Sequence, residues 1–171
     1  TMDAAMKGHM EMMKWARAQK PPYSWSSATC IAAAGNGHMK MLKWLRAQDP
    51  PCPWDEVVCS TAARNGHLKE LKWLRAQDPP CPWDAEVCYN AAGGGHLDVL
   101  QWARKQDPPC PWDMWVCNHA ATANNQMILI WALAQEPPPD WDLNACADFS
   151  QKAQGIIGTP GSNMRNYGQN F

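Results

Sequence analysis

The chain carries no excess of charge of either sign: 15 Lys and Arg stand against 16 Asp and Glu, a formal net charge of −1. That balance argues against nucleic-acid binding through a simple electrostatic footprint. Long apolar runs are missing as well. The longest, residues 127 to 134, falls far short of the roughly 20 residues that a membrane-spanning helix needs, so no span is expected. No secretory or transit pattern opens the sequence. Cysteine and histidine occur, but without the close pairs that set zinc ligands on one turn. Cys52, Cys59 and His67 are separated by six and seven intervening residues, and a metal site is therefore not expected. The run Gly93 to His96 lacks the rest of a phosphate-binding loop, so no nucleotide cofactor is expected either.

What the chain has is one unit, repeated. Trp25, Trp54, Trp83, Trp112 and Trp141 are spaced by 29 residues, and the same spacing separates Cys30, Cys59, Cys88, Cys117 and Cys146. Trp15, Trp44, Trp73, Trp102 and Trp131 form a third ladder with that period. The organisation follows: a partial repeat 1–24, repeats 25–53, 54–82, 83–111 and 112–140, a partial repeat 141–152, and an extended tail 153–171 rich in Gly, Asn and Gln. Aligning Gly8 with Gly37 sets Thr1 at the place of Cys30, inside a first helix, so the sequence opens within a repeat and is expected to be a piece of something longer.

Residues 54–82 show the unit most clearly. Asp55 stands where an N-cap belongs, and Trp54 and Cys59 take the two positions of a hydrophobic staple, which predicts a helix from Glu56 to Arg64. Asn65 and Gly66 break it. His67 opens a second helix in which Leu68, Leu71 and Leu74 recur at helical spacing beside Trp73, with Lys69, Lys72 and Arg75 turned outward. Pro79 and Pro80 stop it. A helix pair of this size cannot bury its own apolar stripe and must stack on its neighbours. The expected fold class is therefore all-α, an α-solenoid of stacked helix pairs.

The run A-A-R-N-G-H-L-K-E-L-K-W-L from Ala62 to Leu74 resembles the ankyrin repeat, and the likeness covers roughly residues 1 to 150. Its period is shorter than the usual 33 or so. The resemblance then implies that the hairpin fingers are shortened or missing, replaced by the D-P-P-C-P-W turn. The T-P-L-H signature is absent, with Val57, Val58, Cys59 and Ser60 in its place. Trp, Cys and Pro packing is expected to stand in for the hydrogen bonds that tie ordinary ankyrin repeats together, and Trp73 to replace a core leucine. The Trp, Cys and Pro content is similar to that of ankyrin-like repeats in algal, protist and large-virus proteins.

The cysteines divide into a helix set, read as small buried hydrophobes, and a turn set of Cys52, Cys81 and Cys110. Disulfides between the sets would require both partners to vary together, yet Tyr23 and Pro139 replace the turn cysteine where Cys30 and Cys146 persist. Reduced thiols and a reducing, intracellular compartment are expected, an organelle interior included. The histidines His9, His38, His67 and His96 read as the residues that open each second helix. Every copy repeats the same Cys and His, whereas an active site needs one distinctive cluster, so no enzyme is expected.

The variation between copies carries the functional signal. The positions of Val58, Cys59, Ala62 and Ala63 stay nearly constant and form the stacking core, while those of Val57, Ser60, Thr61 and Arg64 vary and share one face. In ankyrin-type stacks that face is the concave binding surface, which picks out Arg64, Glu86, Tyr89, Asn90, Trp115, Asn118 and His119. A second candidate surface lies in repeat 112–140, where the positions of Lys69, Glu70, Lys72 and Arg75 become Met127, Ile128, Ile130 and Leu133. This apolar face is expected to meet another chain or the tail through Ile156 and Ile157. The resemblance implies a non-catalytic protein–protein interaction scaffold whose partners are other protein chains. A second reading is a constitutive structural or linker subunit of a large multiprotein complex, organellar or photosynthetic complexes included.

Overall fold

A computed structural model describes residues 1–135, and among these described residues the chain forms ten α-helices and no strand. They are α1 (Met2–Met6), α2 (Met10–Ala18), α3 (Ser27–Gly35), α4 (Met39–Arg46), α5 (Glu56–Arg64), α6 (Leu68–Arg75), α7 (Ala85–Gly94), α8 (Leu97–Arg104), α9 (Met114–Thr122) and α10 (Gln126–Leu133). The partial repeat 141–152 and the tail with Ile156 and Ile157 lie outside the described residues. Each odd-numbered helix packs against the odd-numbered helices before and after it, and each even-numbered helix packs against the odd one that precedes it in the chain. Direct contact between successive even-numbered helices is slight.

Side-chain size explains the asymmetry. Val58, Cys59, Ala62 and Ala63 of α5 are fully buried, as are Val87, Cys88, Ala91 and Ala92 of α7. Alanine and cysteine at the contact let helix axes approach closely. At Gly35 the approach is closer still, since a Cβ there would fall 2.6 Å from the Thr61 methyl of the next odd helix. Even-numbered helices contribute the larger apolar groups, Met41, Leu42, Leu45, Leu71, Leu74, Val99 and Leu100, to the same continuous core.

The A-A-x-x-G-H stretch forms one turn with two bonds. His67 N donates to Ala62 O at 2.9 Å and Gly66 N to Ala63 O at 3.1 Å, the paired pattern of a Schellman motif. Gly66 takes φ +73°, a left-handed conformation that glycine adopts without steric cost. In repeat 112–140 the turn residue is Asn124 at φ +59°, asparagine being among the few other residues that visit this region routinely. At the far end of each even helix a glutamine side chain closes the last turn: Gln48 and Gln77 donate to the carbonyls of Trp44 and Trp73 at 3.0 and 2.9 Å. The chain then reverses through a proline turn entered by a cis peptide bond, as at Asp78–Pro79, and Cys81 N returns to Leu74 O at 3.0 Å.

Histidine ties successive repeats, contrary to the expectation that packing alone does so. His38 Nε2 lies 2.9 Å from Met6 O, and His67 Nε2 lies 3.1 Å from Gly35 O, each reaching back to the repeat before. The rings lie flat enough against Gly8 and Gly37 that a Cβ on either glycine would come within 2.9 Å of the imidazole. Asn125 keeps the tie without a ring, donating to Ala92 O at 2.7 Å.

Three further expectations are corrected. Glu70 does not face outward: it is only 7% exposed and occupies the position that Met41, Val99 and Ile128 fill with apolar side chains. Arg75 is half-buried, its guanidinium 4.3 Å from the Trp83 ring centroid and bonded to Cys81 O. Trp73 is half-buried as well, with Leu74 beside it fully enclosed, so leucine keeps the core position and tryptophan lies at its outer edge. Capping by aspartate is also uneven. Asp84 and Asp113 accept from Glu86 N and Trp115 N at 2.9 and 3.0 Å, whereas Asp55 makes no such bond and its buried Oδ1 has no partner. Nothing in the structure explains that difference.

Candidate interaction face

The variable positions of the odd-numbered helices are not uniformly open. Ser60 is buried, and its hydroxyl bonds Val57 O at 3.3 Å. Ala32 and Gly35 are buried too. Part of the variation therefore belongs to the joint between repeats: Gly35 meets Thr61, and a Cβ on Gly93 would stand 3.3 Å from His119 Nδ1. A small residue in one copy answers a larger one in the next.

What remains accessible is spread over α5, α7 and α9, with its aromatic members on α7 and α9. Trp115 is 50% exposed and Arg64 is exposed, while Glu86, Tyr89, Asn90, Asn118 and His119 are half-buried. His119 joins the aromatic residues. Its ring centroid is 4.9 Å from that of Tyr89 on the preceding odd helix, and 6.3 Å from that of Trp115 in an edge-on arrangement at 90°. Glu86 stands one turn before Tyr89, its amide bonded by the Asp84 cap, and its carboxylate acts on the phenol. Desolvation, then the Glu86 carboxylate and the neighbouring Asp84 and Asp113, push the Tyr89 pKa up to about 12. The phenol thus remains a neutral donor at physiological pH.

The second candidate face does not survive as one surface. Ile128 is 2% exposed and belongs to the core, whereas Met127 is 55% exposed. Ile130 and Leu133 are half-buried, Leu133 against the core cluster. The four positions span two sides of α10 because the aligned glutamate, Glu70, is itself turned inward.

Sequence reasoning missed the outer edge, where four like joints occur. Arg17, Arg46, Arg75 and Arg104 each lie over the tryptophan that opens the next repeat, at 4.1, 3.8, 4.3 and 4.3 Å from the ring centroid. That tryptophan meets a second one edge-on, as in Trp54–Trp73 at 6.3 Å and Trp83–Trp102 at 5.7 Å. The recurrence of Arg eight residues before each Trp was the available signal.

Among the described residues no group of three or more His, Cys, Asp or Glu side chains is placed to hold a metal ion, and no helix is long and apolar enough to cross a membrane. Histidines and cysteines engage different partners, the former the preceding repeat and the latter the proline turns. No family model matches the chain, and no curated protein matches it either.

Proposed function

We propose that the chain is an ankyrin-like α-solenoid, its hairpin fingers reduced to proline turns, and that it works as a non-catalytic scaffold holding another protein on the exposed side of its odd-numbered helices. The observation that carries this reading is the Tyr89–His119–Trp115 cluster. Tyrosine and tryptophan are enriched at binding hot spots, where they supply contact area at little conformational cost. Here the ring contacts restrict Tyr89 and His119, so little further order has to be imposed on binding. The chain-order packing of the odd-numbered helices supports the solenoid part of the reading, because it gives a surface that extends one repeat at a time.

A photoreactive residue at position 115, compared with one at exposed position 72 on the even-numbered α6, tests the scaffold. Crosslinking in native extract should give a discrete protein adduct from 115 and none of that size from 72; identical adduct patterns, or none from 115, would refute it. A second reading, a structural subunit of a larger assembly, is favoured by the exposed Met127 beside half-buried Ile130. It requires purification of the native chain with a stoichiometric set of other subunits.

A further inference from the structure

Six cysteines form three like pairs, one member from an odd-numbered helix and one from the proline turn that closes the same repeat. Cys30 Sγ lies 3.9 Å from the carbonyl oxygen of Cys52, and Cys59 Sγ 3.9 Å from that of Cys81. The turn thiols of Cys52, Cys81 and Cys110 each donate at 3.4 Å to the carbonyl of the residue that caps the partner's helix, Ser26, Asp55 and Asp84. The pairs are Cys30–Cys52, Cys59–Cys81 and Cys88–Cys110, in each of which the two thiols are near enough to act on one another's ionisation. In each pair the neighbouring thiol, together with burial, pushes the pKa of one thiol up and keeps it protonated. The turn itself does not require the second sulfur: at Tyr23 the same backbone bond forms, Tyr23 N to Ala16 O at 3.1 Å, with no cysteine present.

We propose that these pairs are three independent dithiol sites that a small-molecule disulfide of the glutathione class oxidises to intra-repeat disulfides. One protein thiolate attacks the reagent disulfide, forms a mixed disulfide and releases one small thiol. The second protein thiol gives up its proton, attacks the protein-side sulfur of the mixed disulfide, forms the new S–S bond and releases the second small thiol. Two protein thiols are oxidised and one reagent disulfide is reduced to two thiols, so atoms and electrons balance. Access comes through the turn. Both sulfurs are buried, but the prolines on either side of each turn cysteine are exposed, and local opening of that turn admits the reagent without parting the odd-numbered helices. Because buried thiols are otherwise inert, reaction is slow and gated by that opening. The product fastens the turn to its helix, and with it the Arg46–Cys52 and Arg75–Cys81 bonds that position each arginine over the next tryptophan.

The test is exposure of the intact folded chain to excess oxidised glutathione, with thiol counting and peptide mass mapping. Three bridges are expected, leaving two of the eight cysteines, Cys117 and Cys146, as thiols. Cys81→Ala should leave Cys59 reduced while Cys30–Cys52 and Cys88–Cys110 close at unchanged rates. The proposal fails if eight thiols persist while the circular dichroism stays native. It also fails if bridges form only in unfolded chain, or if glutathione adducts accumulate and never resolve into the three named bonds.

Discussion

At the scale of single residues, the joint between repeats is a histidine on a glycine. His67 loses two things on replacement by alanine, the bond to Gly35 O and the ring seated on Gly37, and the expected cost is about 1 to 2 kcal/mol. Gly37→Ala should cost about 2 kcal/mol or more, since φ +69° is strained for alanine and the added methyl would meet the imidazole. The double variant should cost less than the sum, because removing the ring makes room for the methyl; urea unfolding of the four proteins measures the coupling. The A-A-x-x-G-H turn was legible locally, in the glycine and the paired alanines. The histidine's partner was not, because it lies 32 residues upstream and no local pattern names it.

Tyr89 offers a pH test at the same scale. Its folded pKa, about 12, lies above the ordinary tyrosine value of about 10. Above pH 10 the unfolded chain therefore releases a proton that the folded chain retains. The tyrosine's contribution is fully present below pH 10 and is lost as pH rises toward 12. In that window Tyr89→Phe should show a shallower fall in stability than the parent, followed by chemical denaturation at stepped pH; equal slopes would refute the environment assigned to the phenol.

At the scale of helices, the odd and even series are held by different means. Small residues bring the odd helices together directly, while the even helices are bridged by Arg–Trp–Trp joints. Trp73→Ala should cost about 2 to 3 kcal/mol, below the range for a fully buried aromatic, and Leu74→Ala about as much or more despite the smaller side chain. Arg75→Lys should not restore what Arg75→Ala loses, because an ammonium lacks the flat face that stacks on Trp83 while bonding Cys81 O. Thermal melts of the set decide both rankings. Helical period and constancy across copies made the helices and the stripe Val58, Cys59, Ala62 and Ala63 readable. They could not separate Trp73 from Leu74, since adjacent large apolar residues on one helix satisfy the same pattern. Nor could they turn Glu70 inward, because a charged residue at a core position breaks the rule by which facing is read. For the candidate face, variation pointed to Tyr89, Trp115 and His119, but it equally marked Ser60 and Ala32, which vary with the neighbouring repeat's packing and not with exposure.

At the scale of the molecule, the main contacts among the described helices run between neighbouring repeats, which makes the number of repeats adjustable. Deleting residues 54–82 joins Pro53 to Trp83 and restores the sequence C-P-W-D at the seam. Every joint then finds an equivalent partner: Arg46 lies over Trp83 in place of Trp54, His96 sits on Gly37 in place of His67, and Gly35 meets Asn90 in place of Thr61. The shortened chain should unfold cooperatively, with a smaller denaturant m-value in proportion to the surface lost and with lower stability, since one set of interfaces has gone. The Asn90 exchange sets a longer polar group against the glycine that Thr61 touches through a methyl, as His119 already stands against Gly93. If the shortened chain were non-cooperative, restoring threonine there by Asn90→Thr should recover the transition. Failure of both proteins would show that contacts beyond nearest neighbours hold the stack together.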